Sequence, residues 1–376
     1  MSIRVVLLLT VLLHLAFAGS RVTLSLLALH LQATPLTVGI LISLLAAVPL
    51  LFAVGWGRTI DRIGVRKPLF IGAGAVLGAL LLAAAVPRIE VLFIVSAVVG
   101  SGFMLVHICV NQVAGLLGTP EQRSRNFSLL ALAFSTSGFL GPMISGFAID
   151  LIGHRLTFLV LGCSAVAGIA LMLTQPMTVP AHPMPAAGHD RKRVVDLFRI
   201  PDLRRAFVAS AVLSMAWDLF TFVTPIHGTR MGLSASVIGL ILGSFGAAIF
   251  LVRLLLPLIV HRLSEWPLLI GGMLATGAAM TVFPLIDSAA LLMAVAFMLG
   301  LAIGGTQPMI MALLYNTAPP GRGGEVVGVR TFLLNLTQAG IPLLFGIVGT
   351  ALGMTPVFWA MAAVLLLGGA YVSRRQ

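Results

Sequence analysis

Apolar stretches long enough to cross a bilayer recur from one end of the chain to the other, separated by short polar breaks. A helix needs about 20 apolar residues to span membrane hydrocarbon. The pattern therefore predicts twelve spans, at roughly 5–31, 36–57, 68–87, 90–117, 125–151, 155–175, 204–227, 234–260, 266–286, 288–316, 325–352 and 355–372. One polar stretch is longer than the rest. From about Gln175 to Arg205 the chain carries Pro176, Pro180, Pro183 and Pro185, then the basic run Arg191-Lys192-Arg193. This stretch divides an all-α membrane protein into an N-terminal six-helix bundle at 1–175, a central loop at 176–203 and a C-terminal six-helix bundle at 204–376. Val194 to Phe198 is expected to form a short surface helix against anionic lipid.

The halves repeat. Thr34-Pro-Leu-Thr-Val-Gly39 opens the second span and Ser234-Ala-Ser-Val-Ile-Gly239 opens the eighth, an offset of 200. Pro120 to Arg123 leads into the fifth span and Pro319 to Arg322 into the eleventh, and Asp61-Arg62 falls opposite His261-Arg262. A duplicated six-span unit implies two bundles about a pseudo-two-fold axis along the membrane normal, with a site between them near mid-membrane.

Composition narrows the class. Hydrophobic residues make up 59% of the chain and charged residues 9%, far from a soluble balance. The net charge of +12 would suggest nucleic acid, but its placement does not. With the N-terminus in the cytoplasm, 17 Lys and Arg fall on cytoplasmic segments, three on outer loops (Arg88, Arg155, Arg230) and three inside spans (Arg21, Arg253, Arg330). That bias is the positive-inside pattern. It places both termini in the cytoplasm and accounts for the charge without a nucleic-acid partner. Two Lys against 21 Arg, with abundant Ala, Leu and Gly, point to a GC-rich bacterial genome and hence to a bacterial inner membrane. The first span is too long, with the wrong flanks, for a cleaved signal peptide. Cys109 and Cys163 fall inside spans without metal-ligand spacing and read as buried packing residues, so no metal and no cofactor is expected.

Polar residues inside the spans are the candidate chemistry. Asp218 is the only acid in the middle of a hydrophobic span, in FVASAVLSMAWDLFTFVTPI. A carboxylate there costs about 2.5–3.5 kcal/mol on the milder insertion scale, so it is expected to face the bundle interior or a water-filled path. Polar positions recur at helical spacing: His14, Arg21 and Ser25; His107, Asn111 and Gly115, with Gln112 adjacent; Ser210, Ser214, Asp218 and Thr221, with Trp217 beside the acid; Thr331, Asn335, Gln338 and Pro342. The repeat offset puts Asp218 opposite Ala18, within one turn of Arg21. Arg21 and Asp218 are expected to approach across a cavity or to share a substrate; a purely structural ion pair is the alternative. His14 and His107 are further proton-carrying candidates, or packing residues. Asn111, Gln112, Asn335 and Gln338 read as path residues or as interhelical hydrogen bonds. Trp217 reads as a substrate-stacking ring or as core. Arg253 and the pair Glu325/Arg330 lie nearer the cytoplasmic ends and read as an inner gate. Asp150, Glu90 and Asp287 lie at outer ends and read as solvated.

Two segments carry a family resemblance. Gly57-Arg-Thr-Ile-Asp61-Arg62-Ile-Gly64-Val-Arg66-Lys67 lies between spans two and three, where Gly57 and Gly64 permit a tight turn. It resembles the G-x-x-x-D-R-x-G-x-R-K signature of the major facilitator superfamily. That resemblance implies twelve spans in two halves and a cytoplasmic latch formed by Gly57, Asp61, Arg62, Gly64, Arg66 and Lys67, acting as gating residues and not as substrate ligands. Ser137-Gly-Phe-Leu-Gly141-Pro142-Met-Ile-Ser145-Gly146 in span five resembles the G-x-x-x-G-P-x-x-G-G motif of the family's proton-coupled exporters, with serine at two expected glycines. Gly141, Pro142 and Gly146 would permit close helix approach and a bend. Span one has no acid and span four no arginine, so the coupling pair common in drug exporters of that family is missing.

The sequence thus predicts a secondary transporter of a small organic solute, with proton-coupled export first and uptake of an anionic solute such as a carboxylate second. A non-transporting receptor is a third reading. An enzyme is not expected, because no HExxH, GxSxG or phosphate-binding loop appears. The implied partners are the lipid bilayer, a small-molecule substrate and protons, and the implied state is a monomer.

Overall fold

The computed structural model of the protein describes residues 2–117, 120–175, 194–259, 264–319 and 322–373. Every long element among them is a helix, as the bilayer requires: backbone polar groups in hydrocarbon must be bonded within their own segment. Eleven helices are long and apolar enough to cross a membrane. In chain order they are α1 (Ile3–His30), α2 (Pro35–Ile63), α3 (Arg66–Ala85), α4 (Ile89–Leu116), α5 (Pro120–Thr174), α6 (Pro201–Arg230), α7 (Ala235–Ile259), α8 (Glu265–Val282), α9 (Ala289–Thr317), α10 (Gly323–Leu352) and α11 (Met354–Ser373).

The expected twelve spans are present because α5 holds two. Its 55 residues break at Gly153, whose φ of 82° lets the chain reverse within a single residue. Gly64 turns the chain after α2 in the same way, at φ +79°. Gly57, expected to share in that turn, instead lies inside α2, which runs six residues beyond the expected end. Arg62 is therefore on the last helical turn, while Arg66 and Lys67 open α3. The Asp61 side chain, His261-Arg262, the run Arg191-Lys192-Arg193 and positions 176–193 of the expected central loop lie outside the described residues. Val194–Arg199 forms a short 3-10 helix, with Leu197 buried and the Phe198 ring 5.2 Å from that of Phe207 on α6.

In the first half α1 packs on α5, α3 on α4 and α5, and α2 on α4; in the second α11 packs on α8, α8 on α9, α7 on α9, and α6 on α10. The halves meet along α5–α7, α2–α10 and α1–α6. Both termini lie at one end of the bundle, and the halves are sealed at the other. There Gly39 of α2 lies against the Pro342 carbonyl of α10, and Gly239 of α7 against the Pro142 carbonyl of α5. A Cβ on Gly146 would stand 3.1 Å from the Gly239 Cα, and one on Gly346 would stand 3.4 Å from the Gly39 Cα. These four glycines and two prolines are one device used twice, since 39/239, 142/342 and 146/346 all differ by the repeat offset of 200. Small residues let helix backbones approach this closely. At the terminal end, Cβ atoms on Gly55, Gly57 and Gly328 would meet nothing within 4 Å.

Polar contacts complete the seal. The Leu36 N–H donates to Thr350 Oγ1 at 2.9 Å. Asp150, exposed as expected, also accepts from the backbone N–H groups of Ala235 at 3.2 Å and Ser236 at 2.8 Å. Those are orphan donors at the N-terminus of α7, and a carboxylate there also meets the positive end of the helix dipole. The thiols divide: Cys109 is buried as expected, but Cys163 is exposed, pointing away from the helices packed on α5.

Candidate functional site

Between the halves lies a cavity of about 590 Å³, within the usual range of about 300–1,000 Å³ for small-molecule sites. It gathers most of the residues expected to form a path. His14 and Arg21 enter from α1, His107 from α4, Trp217 and Asp218 from α6, Arg253 from α7, and Asn335 and Gln338 from α10. On α1 the two polar residues are seven positions apart, so they share a face two turns and about 10 Å apart along the axis.

Arg21 and Asp218 line the same cavity, as the repeat predicts, and each lies in the other's electric field. They do not form a direct ion pair; the ion pairs among the described residues are Arg199–Asp196, Arg205–Asp202 and Arg322–Glu325. Asp218 is almost fully buried. The Nε of Arg21 is buried with no hydrogen-bond partner. A buried donor left unmade is costly, and more so on a charged group. The Arg21 Nε is thus an unsatisfied donor on a residue that lines the cavity.

The remaining expected residues sort by contact. His14 Nδ1 lies 2.6 Å from Ser137 Oγ, a serine of the span-five motif. Ser145 of that motif donates to the Gly19 carbonyl at 3.0 Å, and a Cβ on Gly141 would stand 3.0 Å from Ala18 Cβ. The motif therefore has two faces. Gly141 and Ser145 bind α5 to α1 one turn from Arg21, while Pro142 and Gly146 face α7 in the seal. Arg253 crosses between the halves, donating from Nη1 to the Ala131 carbonyl at 3.0 Å and to Ser135 Oγ at 2.6 Å.

Four expectations for site residues are corrected. Asn111 does not line the cavity; its side chain donates to the His107 carbonyl of its own helix at 2.8 Å, a local bond that removes it from the path. Gln112 also lies outside the lining. Glu325 pairs with Arg322 at the start of α10, at 2.8 Å, and not with Arg330. Arg330 bonds within its own half, to Ser210 Oγ at 3.1 Å and Gln307 Oε1 at 2.5 Å, so neither it nor Glu325 bridges the halves. At the terminal end Arg62, Arg66 and Lys67 are exposed and enter no ion pair among the described residues.

The sequence missed the rings. Phe17, Phe103, Phe134 and Phe245 line the cavity beside the two histidines and Trp217. Phenylalanine inside an apolar span leaves no contrast by which to see it; the available signal was Phe17, Phe103 and Phe134 lying within four residues of His14 or His107 or on the helix that faces them.

The comparisons agree with this geometry. The family model of the Major Facilitator Superfamily matches residues 6–340. An uncharacterized MFS-type transporter of Bacillus subtilis, YuxJ, is 22% identical over 336 residues, covering 83% of this chain and 81% of that protein. The class E tetracycline resistance protein of Escherichia coli is 25% identical over 325 residues, covering 83% and 78%. Among solved structures the nucleoside transporter NupG superposes with a TM-score of 0.83 at 13% identity, covering 100% of each chain, a likeness of fold. With the family model matched over most of its length and two six-helix halves around one cavity, the chain belongs to the major facilitator superfamily, as an integral membrane transporter of small molecules.

Proposed function

We propose that this transporter works by alternating access, and that the Arg21–Asp218 pair couples cargo movement to protons. The observation that carries this reading is a buried carboxylate and an arginine whose buried Nε has no partner, facing one cavity without touching. Such a carboxylate is neutralised by a proton or by the arginine, and the choice differs between conformations. With the termini in the cytoplasm of a bacterium, the seal is the outer gate and the cavity belongs to an inward-facing state. Gly57, Asp61, Arg62, Gly64, Arg66 and Lys67 form a latch that is disengaged in that state. Arg253 is the inner-gate residue, and the working unit is the monomer with its boundary between bundles at 176–203.

Proton-coupled export is the leading direction. Pro142 and Gly146 of the span-five motif help build the seal, and relatives include proteins named for tetracycline resistance. Uptake of an organic anion is the second reading, favoured by two arginines against one acid in the cavity lining and by the unpartnered Arg21 Nε. The sign of proton movement separates them. In proteoliposomes, cargo that competes with a proton for Asp218 releases protons on binding; an anion that takes Arg21 from Asp218 draws a proton in. No proton movement with any transported cargo would leave a uniporter and sink the coupling proposal.

A further inference from the structure

Five rings form one connected cluster on the N-terminal wall of the cavity. Phe17 and Phe103 stack with centroids 4.1 Å apart and planes 12° apart. His14 lies 5.2 Å from Phe103 and meets Phe134 edge-on at 5.1 Å. His107 lies 5.2 Å from Phe134. They come from α1, α4 and α5, three separate helices of the first half, and all five line the cavity. The opposite wall presents Trp217, half-buried and set edge-on at 5.2 Å against Phe245.

Packing alone does not require this arrangement. An aromatic core is sealed, whereas His107 is exposed and Phe17, Phe103, Phe134 and Trp217 are only partly buried. Rings that line both walls of one cavity offer a seat for a flat π-system, because rings attract rings by stacked and edge-to-face contacts beyond what area burial supplies. We infer that the cargo carries a planar aromatic group, seated against Phe17, Phe103 and Phe134 with the two imidazoles and covered by Trp217 from the other half. The inference rests on the transporter reading above but not on the direction of transport or the sign of cargo charge. It also gives the cargo a part in the cycle, since a ring held between the two walls contacts both halves at once.

The test is calorimetric binding to the purified full-length protein with four probes matched in skeleton. Naphthoate and decalin carboxylate share a carbon skeleton and a charge and differ in aromaticity and flatness, and so do naphthylmethylamine and its decalin counterpart. The expected result is that the aromatic member of at least one charge pair binds roughly tenfold more tightly than its saturated partner, the order that one or two ring contacts supply. In Phe103→Leu the ratio falls towards one while the saturated probe keeps its affinity, which also shows that the variant is folded. Trp217→Leu reports the same for the opposite wall. Equal binding of aromatic and saturated probes overturns the inference, and so does binding of none of the four. Transport of other cargo with no aromatic preference would sink the ring site alone. Tight naphthyl binding with no flux of any cargo would sink the transporter reading alone.

Discussion

The seal offers the sharpest test of the two-state mechanism, because its contacts exist only when the halves are closed at that end. Gly146→Ala adds a methyl that would meet the Ala235 carbonyl group, its carbon 3.0 Å away and the Gly239 Cα 3.1 Å away. The obstacles are backbone atoms, so the methyl cannot be accommodated by turning a side chain. Overpacking of this kind costs about 1–3 kcal/mol, and here the cost falls on the sealed state alone. A bias of about 1–3 kcal/mol moves a two-state equilibrium about 5- to 150-fold. Gly346→Ala, against the Pro35 carbonyl oxygen at 3.0 Å and the Leu36 Cα at 3.1 Å, is the pseudo-symmetric equivalent and is expected to act in the same direction. The assay is labelling of a cysteine at Thr221, a cavity residue, by a membrane-impermeant maleimide applied from the sealed face, in a background with Cys109 and Cys163 replaced. The labelling rate is expected to rise by the same factor of about 5 to 150. Gly74→Ala is the control, since its methyl would meet nothing within 4 Å. An unchanged rate in a folded Gly146→Ala protein would refute the reasoning, as would an equal rise in Gly74→Ala.

Other outcomes follow from single contacts. Asp150→Ala removes the acceptor from two α7 N-terminal donors; a cap of this kind contributes about 0.5–2 kcal/mol, so the same labelling rate should rise about 2- to 30-fold. Gly64→Ala forces a side chain into φ +79°, ψ 174°, a strain of about 1–3 kcal/mol that should lower the melting temperature by a few degrees. Arg253→Gln breaks hydrogen bonds from a charged donor to Ala131 and Ser135 across the halves, each of about 1.5–3 kcal/mol, and a melting temperature equal to wild type would show that this bridge contributes nothing.

Much of the architecture was legible because hydrocarbon imposes a length and a polarity on each span. The break between spans five and six was readable as a short polar gap, although a single residue, Gly153, makes it. Arg21, Asp218, His14 and His107 were legible because polar residues stand out against apolar ones at helical spacing. Contacts that depend on a partner from elsewhere were not. Asp150 is exposed as it reads, but its bonds to the N-terminus of α7 come from the other half of the chain. Glu325 and Arg330 are five residues apart, on divergent faces of one helix, whereas Arg322 at three residues is a neighbour. Asn111 has the spacing of a path residue, but its amide is consumed by its own helix. The twin of the span-five motif, Pro342 and Gly346, was in the repeat all along; it gained meaning only when both copies were seen closing the same end.

The central claim is that Asp218 exchanges a proton as the cargo moves, and proteoliposome transport of one cargo by wild type and Asp218→Asn tests it most directly. A neutral amide keeps the shape and loses the titration. The account predicts that Asp218→Asn retains cargo-for-cargo exchange but loses both accumulation driven by a pH gradient and the proton movement that accompanies binding. Undiminished pH-driven accumulation in Asp218→Asn would contradict it.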